Sequence, residues 1–143
     1  MIKTYPLNES DLDLIEAANA KIRELYEENR HHVGAALKTK SGKIVAAVHI
    51  EAYIGRITVC AEAVAIGKAI SDREKGFDTI VAVKHPYFVD EDRALKVVSP
   101  CGMCRELISD YAKDCFVILP VNGETVKVKI GELLPYKYTR DSW

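Results

Sequence analysis

Ser99-Pro100-Cys101-Gly102-Met103-Cys104-Arg105 and, earlier in the chain, Cys60-Ala61-Glu62 are the stretches whose reading decides the fold. Cys101 and Cys104 follow a Ser-Pro pair that reads as a helix start, Ser at the cap and Pro in the first turn, with the helix running on through Tyr111. At a spacing of three, both side chains lie on one face of the first turn. Unpaired backbone N–H groups and the positive end of the helix dipole favour thiolates there. Cys60 holds a similar place near the start of a second helix, expected from about Thr58 to Arg73. Two helix starts can thus converge on one ion. Three thiols fill three positions of a tetrahedral zinc and leave the fourth open, as catalytic sites do and closed structural sites do not.

The second helix carries Ala61, Ala63, Val64, Ala65, Ile66, Ala69 and Ile70, apolar around much of its circumference, so it should be largely buried. Glu62 then sits two residues from a ligand, in a place where a carboxylate is costly to bury without a task. It is the candidate acid and base at the open position, suited to adding water at an amidine-like carbon. The alternative is helix capping. A capping box from Thr58 would need its Glu at position 61, which is Ala. For the thiols the alternatives are a four-cysteine site using Cys115, or a redox pair at Cys101 and Cys104. Cys115 has no second cysteine at ligand spacing and opens an apolar strand, where it reads as core.

Outward from these motifs, Asn8-Glu9-Ser10-Asp11 offers N-cap candidates for a first helix reaching about Asn29, with Leu12, Ile15, Ala18, Ile22, Leu25 and Tyr26 at helical spacing. Val33 to Thr39 and Ile44 to Ile50, joined through Lys40-Ser41-Gly42-Lys43, predict an antiparallel hairpin. Thr79 to Val83 and Cys115 to Leu119 are continuous apolar runs, the pattern of strands covered on both faces. Asn122-Gly123 predicts a tight reversal into a last strand, Thr125 to Ile130. His85 to Leu95 is the least regular stretch. The order of elements predicts an α/β fold, a five-stranded mixed sheet layered with helices.

At 143 residues the chain reads as one domain, residues 1–143. Lys plus Arg is 20 and Asp plus Glu 21, a net charge of −1, with no basic tract, which argues against a dedicated nucleic-acid binder. The first residues, Met1 to Pro6, carry no apolar run of a signal peptide, and no later stretch has the length of a membrane span. A cytoplasmic protein is expected, with its four cysteines as metal ligands or reduced thiols.

These motifs, with the late Glu132-Leu133-Leu134-Pro135, resemble the cytidine deaminase superfamily, in its three-cysteine branch acting on free nucleosides; the likeness runs from about residue 10 to 135. His31 to Ala36, Val48 to Arg56 and Cys101 to Tyr111 resemble more narrowly one bacterial member that acts on a cytosine-containing antibiotic. The resemblance implies a three-layer α/β/α domain with its metal site at two helix N-termini. It implies one zinc per subunit on Cys60, Cys101 and Cys104, Glu62 as the catalytic acid and base, and hydrolysis of a cytosine nucleoside to the uracil product plus ammonia. Cytidine or deoxycytidine is the alternative substrate to the antibiotic. It also implies a homotetramer with active sites near subunit interfaces, and no nucleic-acid or membrane partner.

Two departures matter. Ordinary members hold the ribose with Asn-x-Glu, whereas here the residues are His49-Ile50-Glu51, which makes His49 and Glu51 candidate substrate contacts. Where those enzymes carry an Arg after the first motif, this chain has Ala63, and Arg105 is placed to offset thiolate charge in its stead. Backbone groups around Ala61 and Ser99 are candidates to hold the ring. Asp90-Glu91-Asp92 is either an anionic partner for a guanidinium-bearing substrate or solvated surface. His31 and His32 read as structural, and the tail with Tyr138 and Trp143 as packing on a neighbouring subunit.

Overall fold

Asn8 is the N-cap that starts helix α1, Glu9–Leu25, in the computed structural model, which describes residues 1–143. Its side-chain oxygen accepts from the Asp11 N–H at 2.9 Å, and the Asp11 carboxylate accepts from the Asn8 N–H at 2.9 Å, a reciprocal capping box. Asp11 also meets Lys127 Nζ at 2.8 Å in a nearly enclosed pair, so the helix start is tied to the far end of the chain. The buried stripe is Asp11, Leu14, Ala18 and Ile22, while Leu12 and Leu25 face outward. The helix ends four residues before the expected Asn29. Tyr26 turns extended (ψ 131) and the chain reverses through Asn29 in the left-handed region (φ 65), which delivers His31 and His32 to the start of a strand.

The strands are β1 (Val33–Thr39), β2 (Ile44–Val48), β3 (Phe77–Lys84), β4 (Lys96–Val98), β5 (Phe116–Val121) and β6 (Glu124–Lys129). Five of them run in the order β2-β1-β3-β5-β6, the expected mixed sheet. β3 and β5 pair in parallel over Thr79–Val81, and the other neighbours are antiparallel. The sixth, β4, pairs with Ala82–Lys84 of β3 along the edge where β5 has ended. Three residues long, it is too short for an alternation pattern to announce it.

Helices α2 (Ala61–Ser71) and α3 (Gly102–Tyr111) cover one face and α1 the other. The alternation along each strand sorts the core accordingly. Ala35, Leu37, Ile80 and Ala82 pack toward α2 and α3, whereas Ala36, Val81, Val83 and Ile118 pack on Leu14, Ala18 and Ile22 of α1. The architecture is therefore three-layer α/β/α. Helix α2 approaches closely because its sheet-facing positions Ala61, Ala65 and Ala69 are small and fully buried. No helix is long and apolar enough to cross a membrane.

Both motif helices start later than their capping signals suggest. The N-caps are Cys60 and Cys101, not Thr58 and Ser99, and neither thiol makes a side-chain capping bond. Ser99 lies exposed one residue before the buried Pro100.

α1 rests on β1 at Gly34, where a Cβ would stand 2.7 Å from the Ala18 carbonyl oxygen and 2.9 Å from Ile22 Cβ. Both neighbours belong to a packed helix and cannot give way cheaply. Gly34→Ala should destabilise the protein by about 1–3 kcal/mol, read as a lower urea midpoint with unchanged slope.

Candidate metal centre

The two cysteine N-caps bring their side chains together below the sheet. Sγ atoms of Cys60, Cys101 and Cys104 all lie within 4.8 Å of one another, and Cys60 and Cys101 are 3.6 Å apart. The thiols run from open to enclosed: Cys101 exposed, Cys60 half-buried, Cys104 buried. This is a set of three soft donors on one side of a point, with the fourth side unblocked by another cysteine. It suits zinc in the open, three-ligand arrangement.

Electrostatics follow burial and donors. Cys104 is pushed far above the usual thiol range by burial, then by the negative charges of Glu62, Cys60 and Cys101. Cys60 is likewise raised, chiefly by burial. At Cys101 burial opposes ionisation, but the backbone N–H groups of Cys104 and Met103 and the neighbouring thiols outweigh it and lower the pKa. That is the expected behaviour of a thiol at a helix N-terminus. Three adjacent thiolates are tolerable only with a cation among them.

Glu62 follows Cys60 by two residues, is 5% exposed, and lines a narrow apolar crevice with Ile80, Ala82, Pro100, Ile108 and Val117. Burial raises its pKa, opposed by its own backbone N–H, the Cys104 thiol and the nearby His49. A carboxyl lifted from its usual range and held beside a metal position is poised to take and return protons.

His49 and Glu51 come alongside through the bridge between Ile50 and Val59. The His32 backbone N–H donates to His49 Nδ1 at 3.2 Å, so the ring proton sits on Nε2 and is donated to Glu51 Oε2 at 2.9 Å. Together with Asn29, His32, Val33, Lys84 and Tyr87 they line a cleft of about 310 Å³. Lys84 and Tyr87 have no role assigned from the sequence; their one signal is the abrupt change from the apolar run ending at Val83 to Lys84-His85. Ala61 is fully buried as the first residue of α2. Arg105 donates from Nε to the Pro100 carbonyl at 3.0 Å, in the first turn of α3 beside the thiols.

The acidic loop is mostly committed to itself. Asp90 accepts from the Tyr87 N–H, and Asp92 accepts from the Ala94 N–H and pairs with Lys96 at 3.0 Å. Only Glu91 is left without a partner in that cluster. The tail lies on its own α3 rather than away from it: Lys137 bridges Glu106 and Asp110, and Trp143 packs edge-on to Tyr111. Between them lies a cleft of about 540 Å³, built from the outer face of α3 and remote from its N-terminal thiols.

Cys115 stands apart from the three thiols. It is fully buried, donates to the Phe116 carbonyl at 3.3 Å, and is pushed up to about 12 by burial, first of all. In metal-stripped but folded protein, iodoacetamide near neutral pH should label Cys101 and leave Cys115 untouched until denaturant is added. Early labelling of Cys115, mapped by mass spectrometry, would contradict its place in the core.

Residues 8–119 match the family described as the cytidine and deoxycytidylate deaminase zinc-binding region. The chain is 64% identical over 140 residues to the blasticidin-S deaminase of Bacillus cereus, covering 98% of this chain and 100% of that one. Among solved structures, the cytidine deaminase of Burkholderia pseudomallei superposes with a TM-score of 0.72 at 27% identity, over 92% of this chain and 100% of the other. That of Bacillus anthracis gives 0.75 at 23% identity, covering 92% and 90%, a likeness of fold. On the strength of the matched zinc-binding region and the near full-length relative, the chain belongs to the cytidine and deoxycytidylate deaminase family.

Proposed function

We propose that the chain deaminates blasticidin S, adding water at C4 of its cytosine ring and releasing ammonia, with Cys60, Cys101 and Cys104 as the zinc ligands and Glu62 as the acid and base. The observation that carries the reading is a three-thiol cluster with a buried carboxyl of raised pKa in the helix turn that Cys60 caps. The near full-length similarity to a blasticidin-S deaminase favours this substrate. Weaker similarity to cytidine deaminases, 29% identity to that of Sporosarcina psychrophila over 135 residues, supports cytidine or deoxycytidine as the alternative.

When bound by the three thiolates, zinc supplies the Lewis acid that makes water nucleophilic near neutral pH. Glu62 takes the proton that water gives up and delivers it to N3 of the ring, which lets electrons leave the C4–N3 double bond as oxygen adds. The same carboxylate then takes the second proton from the new C4 hydroxyl and hands it to the departing amine, so that C4 becomes a carbonyl and ammonia leaves. The apolar walls at Ile80, Ala82 and Pro100 keep Glu62 out of bulk water and hold its pKa within reach of both transfers. The backbone at Ala61 and Ser99 supports the ring, and His49 and Glu51 the sugar.

One domain spanning residues 1–143 is proposed to work in the cytoplasm as a homotetramer. Exposed Tyr53, Ile54, Ile57 and Val59, beside Glu51, are an apolar strip suited to burial against another copy.

Ultraviolet absorbance of cytidine, deoxycytidine, cytosine and blasticidin S, each incubated with the purified protein, tests the substrate; turnover of cytidine without blasticidin S would reverse the order proposed. Glu62→Gln should keep fold and zinc content while activity drops by at least ~10²-fold; full activity in that variant would remove Glu62 from the chemistry. Cys101→Ala should lose metal and thermal stability together. Normal zinc occupancy by elemental analysis would show that another atom completes the ligand set.

A further inference from the structure

Three strand ends meet beside the site. Lys84 at the end of β3 is in register with Val33 at the start of β1, His49 after β2 donates its N–H to the Val33 carbonyl, and His85 donates to the His32 carbonyl. The register gathers all four histidines of the chain in one cluster. His31 Nδ1 donates to the His49 carbonyl, His85 stacks on Tyr26 at 3.8 Å, and the His32 ring lies 4.8 Å from Tyr87 and 5.5 Å from His49.

Most polar groups here are already used. Glu28 accepts from the Tyr26 hydroxyl and the Phe88 N–H, and Glu51 accepts from His49. Two groups are left over. His32 is 7% exposed and its Nδ1 is buried with no hydrogen-bond partner, an uncompensated desolvation that native proteins rarely accept without a ligand or a role. Lys84 pairs with no carboxylate; its Nζ rests 4.7 Å from the Tyr87 ring centre, whereas Lys96, opposite it in the ladder, is paired with Asp92. Both line the cleft of about 310 Å³ that also holds His49 and Glu51. Beside the Glu51 carboxylate, which accepts from His49, the cleft therefore leaves two groups without partners: the Lys84 ammonium at the rim and a buried imidazole nitrogen further in. A carboxylate answers both: the ammonium supplies the charge and His32, in its Nδ1–H tautomer, a hydrogen bond. Burial lowers the His32 pKa, so the ring stays neutral and the positive charge comes from Lys84.

We infer that this cleft, through Lys84 and His32, seats a carboxylate borne on the sugar of the substrate and thereby selects a nucleoside uronic acid over ordinary nucleosides. The inference rests on the reading of blasticidin S, whose sugar is such an acid, as the substrate.

The test compares kcat/KM for blasticidin S and for its methyl ester, which keeps the ring and loses the charge. In Lys84→Met the preference for acid over ester should fall about tenfold, and Lys84→Arg should restore it. The wild-type preference should weaken with added salt, because the cation is exposed, while that of Lys84→Met should not. An acid-to-ester ratio unchanged in Lys84→Met would overturn the role of the cleft and leave the deamination of blasticidin S standing. A wild-type protein that deaminates cytidine but neither acid nor ester would overturn the substrate reading and this inference together.

Discussion

Everything in this structure follows from bringing two helix N-termini to one point beneath a sheet. Cys60 and Cys101 occupy cap positions that elsewhere belong to Ser, Thr or Asp, and neither thiol spends its bonding capacity on its own helix. The helix ends therefore offer positive potential and unpaired N–H groups to sulfur rather than to a capping oxygen. Burial and mutual repulsion push Cys60 and Cys104 away from ionisation, so the fold holds a cluster that is unfavourable by itself and is satisfied by a divalent ion.

The same geometry fixes the environment of Glu62. Alanines at 61, 65 and 69 let α2 settle close to the sheet, so the carboxylate one position along is walled by Ile80, Ala82 and Pro100. A larger residue in that alanine stripe would lift the helix, let water in, and return Glu62 toward an ordinary carboxylate. The packing of a helix and the acidity of its one buried acid are thus a single property seen twice.

Much of this was legible in the sequence because ligand spacing and apolar runs are local signals. The three thiols, Glu62, five of the strands and the three layers appear where the motifs and the family resemblance place them, whereas the order of the strands across the sheet is not a local signal. Helix boundaries were less legible. Thr58 and Ser99 have the chemistry of caps, but the need to aim cysteines at one another moves each start to the thiol itself. Asp90 and Asp92 read as a free acidic patch by composition, yet they close the turns of their own loop. The cleft was invisible for another reason. Asn29, His32, His49 and Lys84 come from four segments that meet only through the register of β1 with β2 and β3, and no window along the chain contains that register.

The residues ahead of α1 show how a sheet margin can be shielded without a strand of its own. Tyr5 exchanges both backbone hydrogen bonds with Lys127 on β6, and its ring meets Phe116 edge-on at 5.2 Å. β6 is the outermost strand on that side, and an uncovered margin of this kind is a template for foreign chains to add to. The leading segment therefore works as a hem. Trimming it would leave catalysis chemically complete while opening a seam along which molecules could stitch themselves into aggregates.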